Sequence, residues 1–169
     1  MAVNGTEHSG GFPTGGAVRV ERVEVDSDDA QWAMARYFAE LAQRFPGGFD
    51  PAAGGADGDS ARMTPPDGAF VVARRDHDVL GCGGVQRIDA TVAEIKRMWV
   101  HPQRRGEGLG RLLLDELESI ARSLGCSTVV LDTNGSLVEA IAMYERRGYE
   151  PTERYNDNPY AQHWFRKTL

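Results

Sequence analysis

A glycine- and arginine-rich loop that runs straight into a periodic apolar segment is the feature that most constrains this chain. The loop, residues 103–110, contains three glycines and two arginines. Apolar residues then recur at the spacing of one helix face: Leu109, Leu112, Leu113, Leu117, Ile120, Ala121 and Leu124. The pattern predicts a helix over Gly108–Leu124 that ends at Gly125, the residue type that most often terminates a helix.

The start of that helix has the physical properties of an anion site. The backbone N–H groups of a first helical turn have no partner within the helix, and the helix dipole adds partial positive charge there. Gly106, Gly108 and Gly110 let a bulky anion approach the backbone, and neighbouring arginines add charge. We therefore predict a pyrophosphate site in which the loop glycines and cations take part.

Two familiar phosphate loops do not fit this stretch. A Walker loop requires Lys and then Ser or Thr after its last glycine, whereas Arg111 follows Gly110 here. A dinucleotide fingerprint has the pattern GxGxxG near the first strand of a βαβ unit, whereas this chain carries GxGxG in its middle.

The remaining patterns predict a mixed α/β sheet covered by helices. Apolar alternation or β-branched runs predict strands over residues 18–25, 69–74, 79–88, 92–100 and 128–131, with a closing hairpin from 149–155 and 162–168. Helices are predicted over 29–44, capped by Ser27 or Asp28, and over 137–147, capped by Ser136. A strand meander followed by alternating helices and strands is typical of an α/β domain.

Composition narrows the classes of function. The 169 residues carry a formal charge of −6, which argues against a nucleic-acid partner because phosphates need a basic face. There is no apolar run near the ~20 residues that cross a membrane, and no secretory segment, so we expect a cytoplasmic protein without a membrane partner. Cys82 and Cys126 fit buried free thiols, and no His/Cys cluster has zinc-ligand spacing, so no metal is expected.

Two segments depart from the compact pattern. Residues 1–16 are rich in glycine and small polar residues and are predicted to form a disordered tail, which leaves 17–169 as a single domain. Residues 46–68 form a long irregular stretch with several glycines and prolines, and such a loop inside a small domain is often functional. We expect this loop to border a substrate pocket.

Three ordered motifs together resemble the GNAT acetyltransferase superfamily. Gln103-x-x-Gly106-x-Gly108 is similar to its Q/R-x-x-G-x-G/A signature. The stretch 93–102 resembles the strand that precedes this signature, and the stretches 131–134 and 140–149 resemble the strand and helix that follow. The resemblance covers residues 17–168 and is strongest over 93–149. It implies a mostly antiparallel mixed sheet with a splayed central strand pair, flanked by helices.

The resemblance implies that acetyl-CoA is the co-substrate and enters the gap between the splayed strands. The pantetheine would pair with the backbone of the strand end, and the pyrophosphate would lie on the loop. Asn134 would contact the cofactor or the next helix, although a turn residue would also suit that position. The cofactor-binding residues expected are Met98, Trp99, Val100, Arg104, Arg105, Gly106, Gly108, Leu109, Gly110, Arg111 and Asn134.

Amide formation needs a neutral amine, stabilisation of the carbonyl oxygen as it gains charge, and a proton for the leaving thiolate. By resemblance, Tyr144 is the candidate acid, and a Tyr pKa of about 10 keeps its proton available. Core packing is the alternative role for this ring. Glu94 is the candidate base, with a solvated strand residue or a contact to the substrate's cation as alternatives.

The expected reaction is direct acetyl transfer to a small-molecule amine in a ternary complex. Acetylation of protein N-termini or lysines, and CoA binding without catalysis, stay open as alternatives. Tyr155, Asn158, Tyr160 and His163 either line the acceptor pocket or are turn and hairpin residues. A homodimer is common in the family, but no exposed apolar stripe in this sequence requires one.

Overall fold

The computed structural model describes residues 15–53 and 60–169, so the predicted tail lies outside the described residues except for its last two positions. Seven strands and three long helices make up the main elements of these ranges. The strands are β1 (Arg19–Val23), β2 (Gly68–Arg75), β3 (Asp78–Arg87), β4 (Val92–Val100), β5 (Thr128–Thr133), β6 (Glu150–Pro151) and β7 (His163–Thr168). The helices are α1 (Asp28–Arg44), α2 (Leu109–Ser123) and α3 (Val138–Arg146), and a 3₁₀ turn spans Pro102–Arg104.

The strands form one sheet in the order β1-β2-β3-β4-β5-β7-β6. All neighbours are antiparallel except β4 and β5, which run parallel. This pair is joined only between Val92–Glu94 and Thr128–Val130, so the two strands separate beyond that point. The predicted mixed, mostly antiparallel sheet with a splayed central pair is confirmed.

Both faces of the sheet carry a hydrophobic core. On β2 the residues Val71 and Ala73 face the core beneath α2, whereas Phe70 and Val72 face the core beneath α1. This alternation follows from the two-residue period of a strand that is covered on both sides. Cys82 and Cys126 are buried free thiols, as predicted.

Local signals explain where α1 and α2 begin. Ser27 Oγ accepts a hydrogen bond from Ala30 N at 3.4 Å, and two aspartates occupy the first turn of α1. Gly108 precedes α2 with φ of 81°, and Gly125 follows it with φ of 83°. Both values lie in the left-handed region that glycine adopts most easily.

The start of α3 differs from the prediction. Leu137, not Ser136, is the residue before the helix, and no side chain caps it. Ser136 instead donates from its N–H (2.9 Å) and its Oγ (2.8 Å) to Asn134 Oδ1. The predicted Ser136 cap is therefore wrong, because the asparagine side chain two residues earlier holds the serine in a turn.

A bulge lies in β4 beyond Glu94, its last residue paired with β5. Cys82 pairs with Trp99 and Gly84 pairs with Lys96, so two residues of β4 lie opposite Gly83. Arg97, one of the two, has φ of 57°. A bulge of this kind re-aims the strand end, and here it lies in the part of β4 that no longer pairs with β5.

Candidate functional site

The glycine loop connects the end of β4 to α2 and forms an open cradle. Gly106 has φ of 86°, and a Cβ built at Gly106 or Gly108 would meet no atom within 4 Å. Gly110 is different, because a Cβ there would lie 2.7 Å from Met143 Sδ. The first two glycines therefore leave room for a ligand, whereas the third allows α2 and α3 to pack closely.

A cavity of about 450 Å³ lies against this cradle. Its walls are the end of β4, the loop, the first turn of α2, and parts of α1 and α3. Ten of the eleven residues predicted to bind the cofactor line it: Met98, Trp99, Val100, Arg104, Arg105, Gly106, Gly108, Leu109, Gly110 and Arg111.

Carboxylates compensate the cations at the mouth of this larger cavity. Arg105 donates from one nitrogen to both oxygens of Glu40, at 2.6 and 2.7 Å. Arg44 pairs with Glu139, and this contact lowers the pKa of Glu139 to about 2. An anionic ligand at the loop would therefore compete with Glu40 for Arg105.

A second cavity, of about 100 Å³, lies on the α1 side of the β4–β5 gap. One wall is a group of half-buried or buried rings in mutual contact, with Phe49 and Tyr160 at 4.8 Å between centroids and Phe38 and Phe49 at 5.5 Å. Phe45, at the end of α1, touches both Phe49 and Tyr160. Phe49 and Pro51 belong to the irregular 46–68 segment, so the described part of this loop does border a cavity. That the cavity holds the substrate stays a prediction.

The two cavities meet in the gap between the splayed strands. Six residues line both of them: Tyr37, Leu41, Met98, Leu137, Ala140 and Tyr144. A molecule in the larger cavity can therefore contact one in the smaller cavity at this junction.

Tyr144 lies at this junction and is 5% exposed. Its ring packs against Tyr149 and Phe165, with centroids 5.7 and 6.3 Å away. Burial raises the pKa of the Tyr144 phenol, and the negative charge of Asp132 raises it further. The phenol thus keeps its proton at neutral pH and borders both cavities, so packing and proton donation are compatible at this position.

Glu94 lies outside both cavities. Its carboxylate is buried, accepts hydrogen bonds from Gln86 Nε2 (2.9 Å) and Asn156 Nδ2 (3.2 Å), and pairs with Lys96 at 3.4 Å. The structure therefore places the predicted base away from the lining of both cavities, with Gln86, Asn156 and Lys96 around its carboxylate.

Asp132 is the acidic residue that does line the smaller cavity, and sequence reasoning gave it no role. On β5 the side chains of Val129 and Leu131 enter the core beneath α2, so Asp132 points to the opposite face with Glu94. One sequence signal could have identified Asp132: it is an acidic residue within a short apolar strand. Burying a carboxylate is costly unless it is paired, so an acid at such a position indicates a specific role. Burial raises the pKa of Asp132, and the hydrogen bond from Asn156 opposes that rise.

Asn134 is the one predicted cofactor residue that does not line the larger cavity. It lines the smaller cavity, accepts from Ser136, and donates from Nδ2 to Tyr160 O at 2.8 Å. These contacts fit the turn role that the sequence left open for Asn134. Asn158 and Tyr160 also line the smaller cavity, whereas Tyr155 and His163 do not.

No group of three or more potential metal ligands occurs among residues 15–53 and 60–169. Over the same ranges, no helix combines the length and the apolar character that a membrane span requires.

Comparison with known proteins gives a consistent result. Residues 30–149 match the acetyltransferase (GNAT) family. An uncharacterized N-acetyltransferase of Schizosaccharomyces pombe is 32% identical over 153 residues, which cover 87% of this chain and 90% of that protein. An IAA acetyltransferase of Azospirillum brasilense is 36% identical over 120 residues, covering 70% and 78%.

The fold has solved counterparts as well. A GNAT family acetyltransferase from Elizabethkingia anophelis, crystallised with acetyl-CoA bound, superposes with a TM-score of 0.64. The superposition covers 90% of this chain and 98% of that one, at 16% sequence identity, so this likeness concerns the fold.

Proposed function

Because the chain belongs to the acetyltransferase (GNAT) family of N-acetyltransferases, we propose that it moves an acetyl group from acetyl-CoA to the primary amine of a small molecule. The amine attacks the thioester directly while both substrates are bound. The observation that carries this proposal is the meeting of two differently built cavities at Tyr144, in the gap between β4 and β5. We propose further that residues 17–169 form a single N-acetyltransferase domain.

The larger cavity is the proposed site of acetyl-CoA. The family uses this co-substrate, and the open glycines, the free N–H groups of the first turn of α2 and the nearby arginines suit a pyrophosphate. The backbone of Met98 to Val100 would pair with the pantetheine. When bound, acetyl-CoA supplies an activated acetyl group and a thiolate leaving group.

The smaller cavity is the proposed site of the acceptor. Its volume and its wall of four contacting rings favour a small molecule with an apolar part over an extended peptide. The Tyr160 hydroxyl accepts a hydrogen bond from Asp50 N at 2.9 Å, which ties the 46–53 segment to the C-terminal loop. The Azospirillum relative, by its name an IAA acetyltransferase, is consistent with a small acceptor.

Tyr144 is the proposed acid. Its buried phenol stays protonated at neutral pH and can give that proton to the departing sulfur. The backbone N–H groups at the end of β4 are proposed to stabilise the carbonyl oxygen as it gains charge.

Release of free CoA from acetyl-CoA tests the proposal with six acceptors: 2-phenylethylamine, benzylamine, L-phenylalanine, L-alanine, glucosamine and an octapeptide with a free N-terminus. We expect acetyl-CoA at millimolar concentration to raise the melting temperature, because it binds only the folded chain. We also expect at least one small amine to outpace the peptide. A melting temperature unchanged by acetyl-CoA would reject cofactor binding, and a faster peptide would reject the small acceptor. Stabilisation without CoA release from any acceptor would indicate a binding module instead of an enzyme.

A further inference from the structure

Asp132 occupies a defined place at the gap between the splayed strands. It lies on β5 two residues beyond Val130, the last β5 residue that pairs with β4. Its side chain lines the smaller cavity, which Tyr144 also lines from α3. The carboxylate thus faces the space where the acceptor amine would meet the thioester.

The Asp132 carboxylate is held in one orientation by the C-terminal loop. Asn156 Nδ2 donates to Oδ2, and Asn158 Nδ2 donates to Oδ1 at 3.1 Å. Both asparagines are themselves fixed, because Asn156 Oδ1 accepts from Trp164 Nε1 (3.0 Å) and Asn158 Oδ1 accepts from Tyr160 N (3.0 Å). A carboxylate offers about four lone-pair sites, so these two side-chain amides leave it able to accept from a bound ammonium group.

We infer that Asp132 binds the ammonium group of the acceptor and removes the proton that blocks attack on the thioester. This inference rests on the function proposed above and assigns the base of that reaction to a residue other than Glu94. Asp132 has both properties that the role needs, access to the acceptor cavity and a fixed direction, whereas Glu94 lines neither cavity.

The surroundings of the Asp132 carboxyl suit the role of a general base. Burial raises the pKa of its carboxyl, and the negative charge of Glu94 adds to that rise, whereas Lys96 and the two asparagines oppose it. A carboxylate with a raised pKa holds a proton more readily than an exposed one. Besides Lys96, the ionisable groups that line the same cavity are Tyr37 of α1, Arg97 of β4, Tyr144 of α3 and Tyr160 of the C-terminal loop.

The proton and electron balance closes with the groups present. The ammonium group gives one proton to Asp132, and the freed lone pair forms the C–N bond at the thioester carbon. The C–S bond then breaks, its electron pair leaves with sulfur, and sulfur takes the proton of Tyr144. The second proton lost by nitrogen restores the Tyr144 phenol, and Asp132 releases its proton to water. The sum is one ammonium and one thioester converted to one amide, one thiol and one proton.

Glu94 then acts through Asp132 as a positioning residue. Asn156 Nδ2 donates to both carboxylates, so the amide holds the two acids at a fixed separation. Removing the Glu94 charge should lower the pKa of Asp132, because that charge raises it. In Glu94→Gln, the acid limb of the pH–rate profile should therefore move to lower pH. The limb should still be present, because Asp132 is still there.

The decisive variant is Asp132→Asn, assayed with the fastest acceptor among the six named above. General bases typically contribute ~10²–10⁴-fold, so we expect kcat/KM at pH 7 to fall by at least about 100-fold. The loss should shrink as pH rises toward the pKa of the amine, because more acceptor is then already neutral. The stabilisation of the folded chain by acetyl-CoA should not change.

Asp157→Asn is the matched control. It makes the same chemical change on the C-terminal loop that holds Asp132, at a fully exposed side chain that pairs with Arg154 and lines neither cavity. Its activity and pH profile should equal those of the unaltered protein. If Asp132→Asn does not fold, Asp132→Ser replaces it, since a hydroxyl can still accept from the asparagines.

The outcomes separate the two proposals. An active protein whose Asp132→Asn variant keeps its rate and acid limb overturns the Asp132 role and leaves the proposed function standing. The Asp132 role is also overturned if the acid limb of the pH–rate profile disappears in Glu94→Gln and persists in Asp132→Asn. That result would make Glu94 the base and would leave the proposed function standing. A protein that neither binds acetyl-CoA nor releases CoA rejects the proposed function and this inference together.

Discussion

The two cavities are built in different ways. The larger one takes about half of its lining, ten of 21 residues, from a continuous stretch from Met98 to Arg111. That stretch contributes backbone N–H groups and two glycines with open space around them. The smaller one is assembled from α1 and the segment after it, the middle of β4, the end of β5, α3 and the C-terminal loop. A site made of local backbone can persist while a site made of distant side chains changes, which is how one fold serves many acceptors.

Tyr144→Phe should have the largest effect, because Tyr144 borders both cavities. Loss of the phenolic proton donor should lower kcat by ~10²–10³-fold, within the range of general acid catalysis. The phenylalanine ring keeps the packing against Tyr149 and Phe165, so acetyl-CoA should stabilise the variant as much as the unaltered protein. Steady-state CoA release and thermal unfolding measure the two quantities. An unchanged kcat would leave Tyr144 with packing alone.

Phe49→Ala should affect the smaller cavity alone. Removing a ring that stacks on Phe38 and touches Tyr160 should raise the KM for an aromatic amine about 10-fold, equivalent to ~1.4 kcal/mol. Phe49→Leu should retain part of the apolar wall and show a smaller rise. Titration of acetyl-CoA checks that the larger cavity is unaffected, and equal losses at both substrates would contradict the separation of the two sites.

Gly108→Ala should have the smallest effect, and it tests the larger cavity alone. Gly108 and Gly125 both have positive φ and open space at the Cβ position, at opposite ends of α2. Alanine in the left-handed region costs roughly 1–2 kcal/mol, so both single variants should unfold at similarly lowered temperatures. Only Gly108→Ala places its methyl group in the larger cavity, so only this variant should bind acetyl-CoA more weakly. We expect the dissociation constant to rise by a factor of about 3, because the methyl group displaces one contact of the ligand. Isothermal titration distinguishes the pair, and equal affinities would show that the ligand does not approach Gly108.

Much of the fold followed from local patterns. The predicted strand over 92–100 and the helix after the glycine loop agree with β4 and α2 almost to the residue. The predicted cap of α3 was wrong, because Ser136 bonds to Asn134 instead of capping the helix. A helix cap is predicted from the position of a residue before the helix. A side chain two residues away that competes for the same hydrogen bonds can change the role of that residue.

The sequence by itself determined the glycine cradle, since the free N–H groups of a first helical turn and the left-handed glycines are properties of a few consecutive residues. The tertiary structure decided which acid faces the acceptor. Glu94 and Asp132 both lie on the same side of the sheet, and the asparagines that hold Asp132 come from 24 and 26 residues further along the chain. Strand alternation assigns a face, but the splay of β4 from β5 and the return of the C-terminal loop determine which carboxylate reaches the cavity. Those contacts join residues that no local pattern connects.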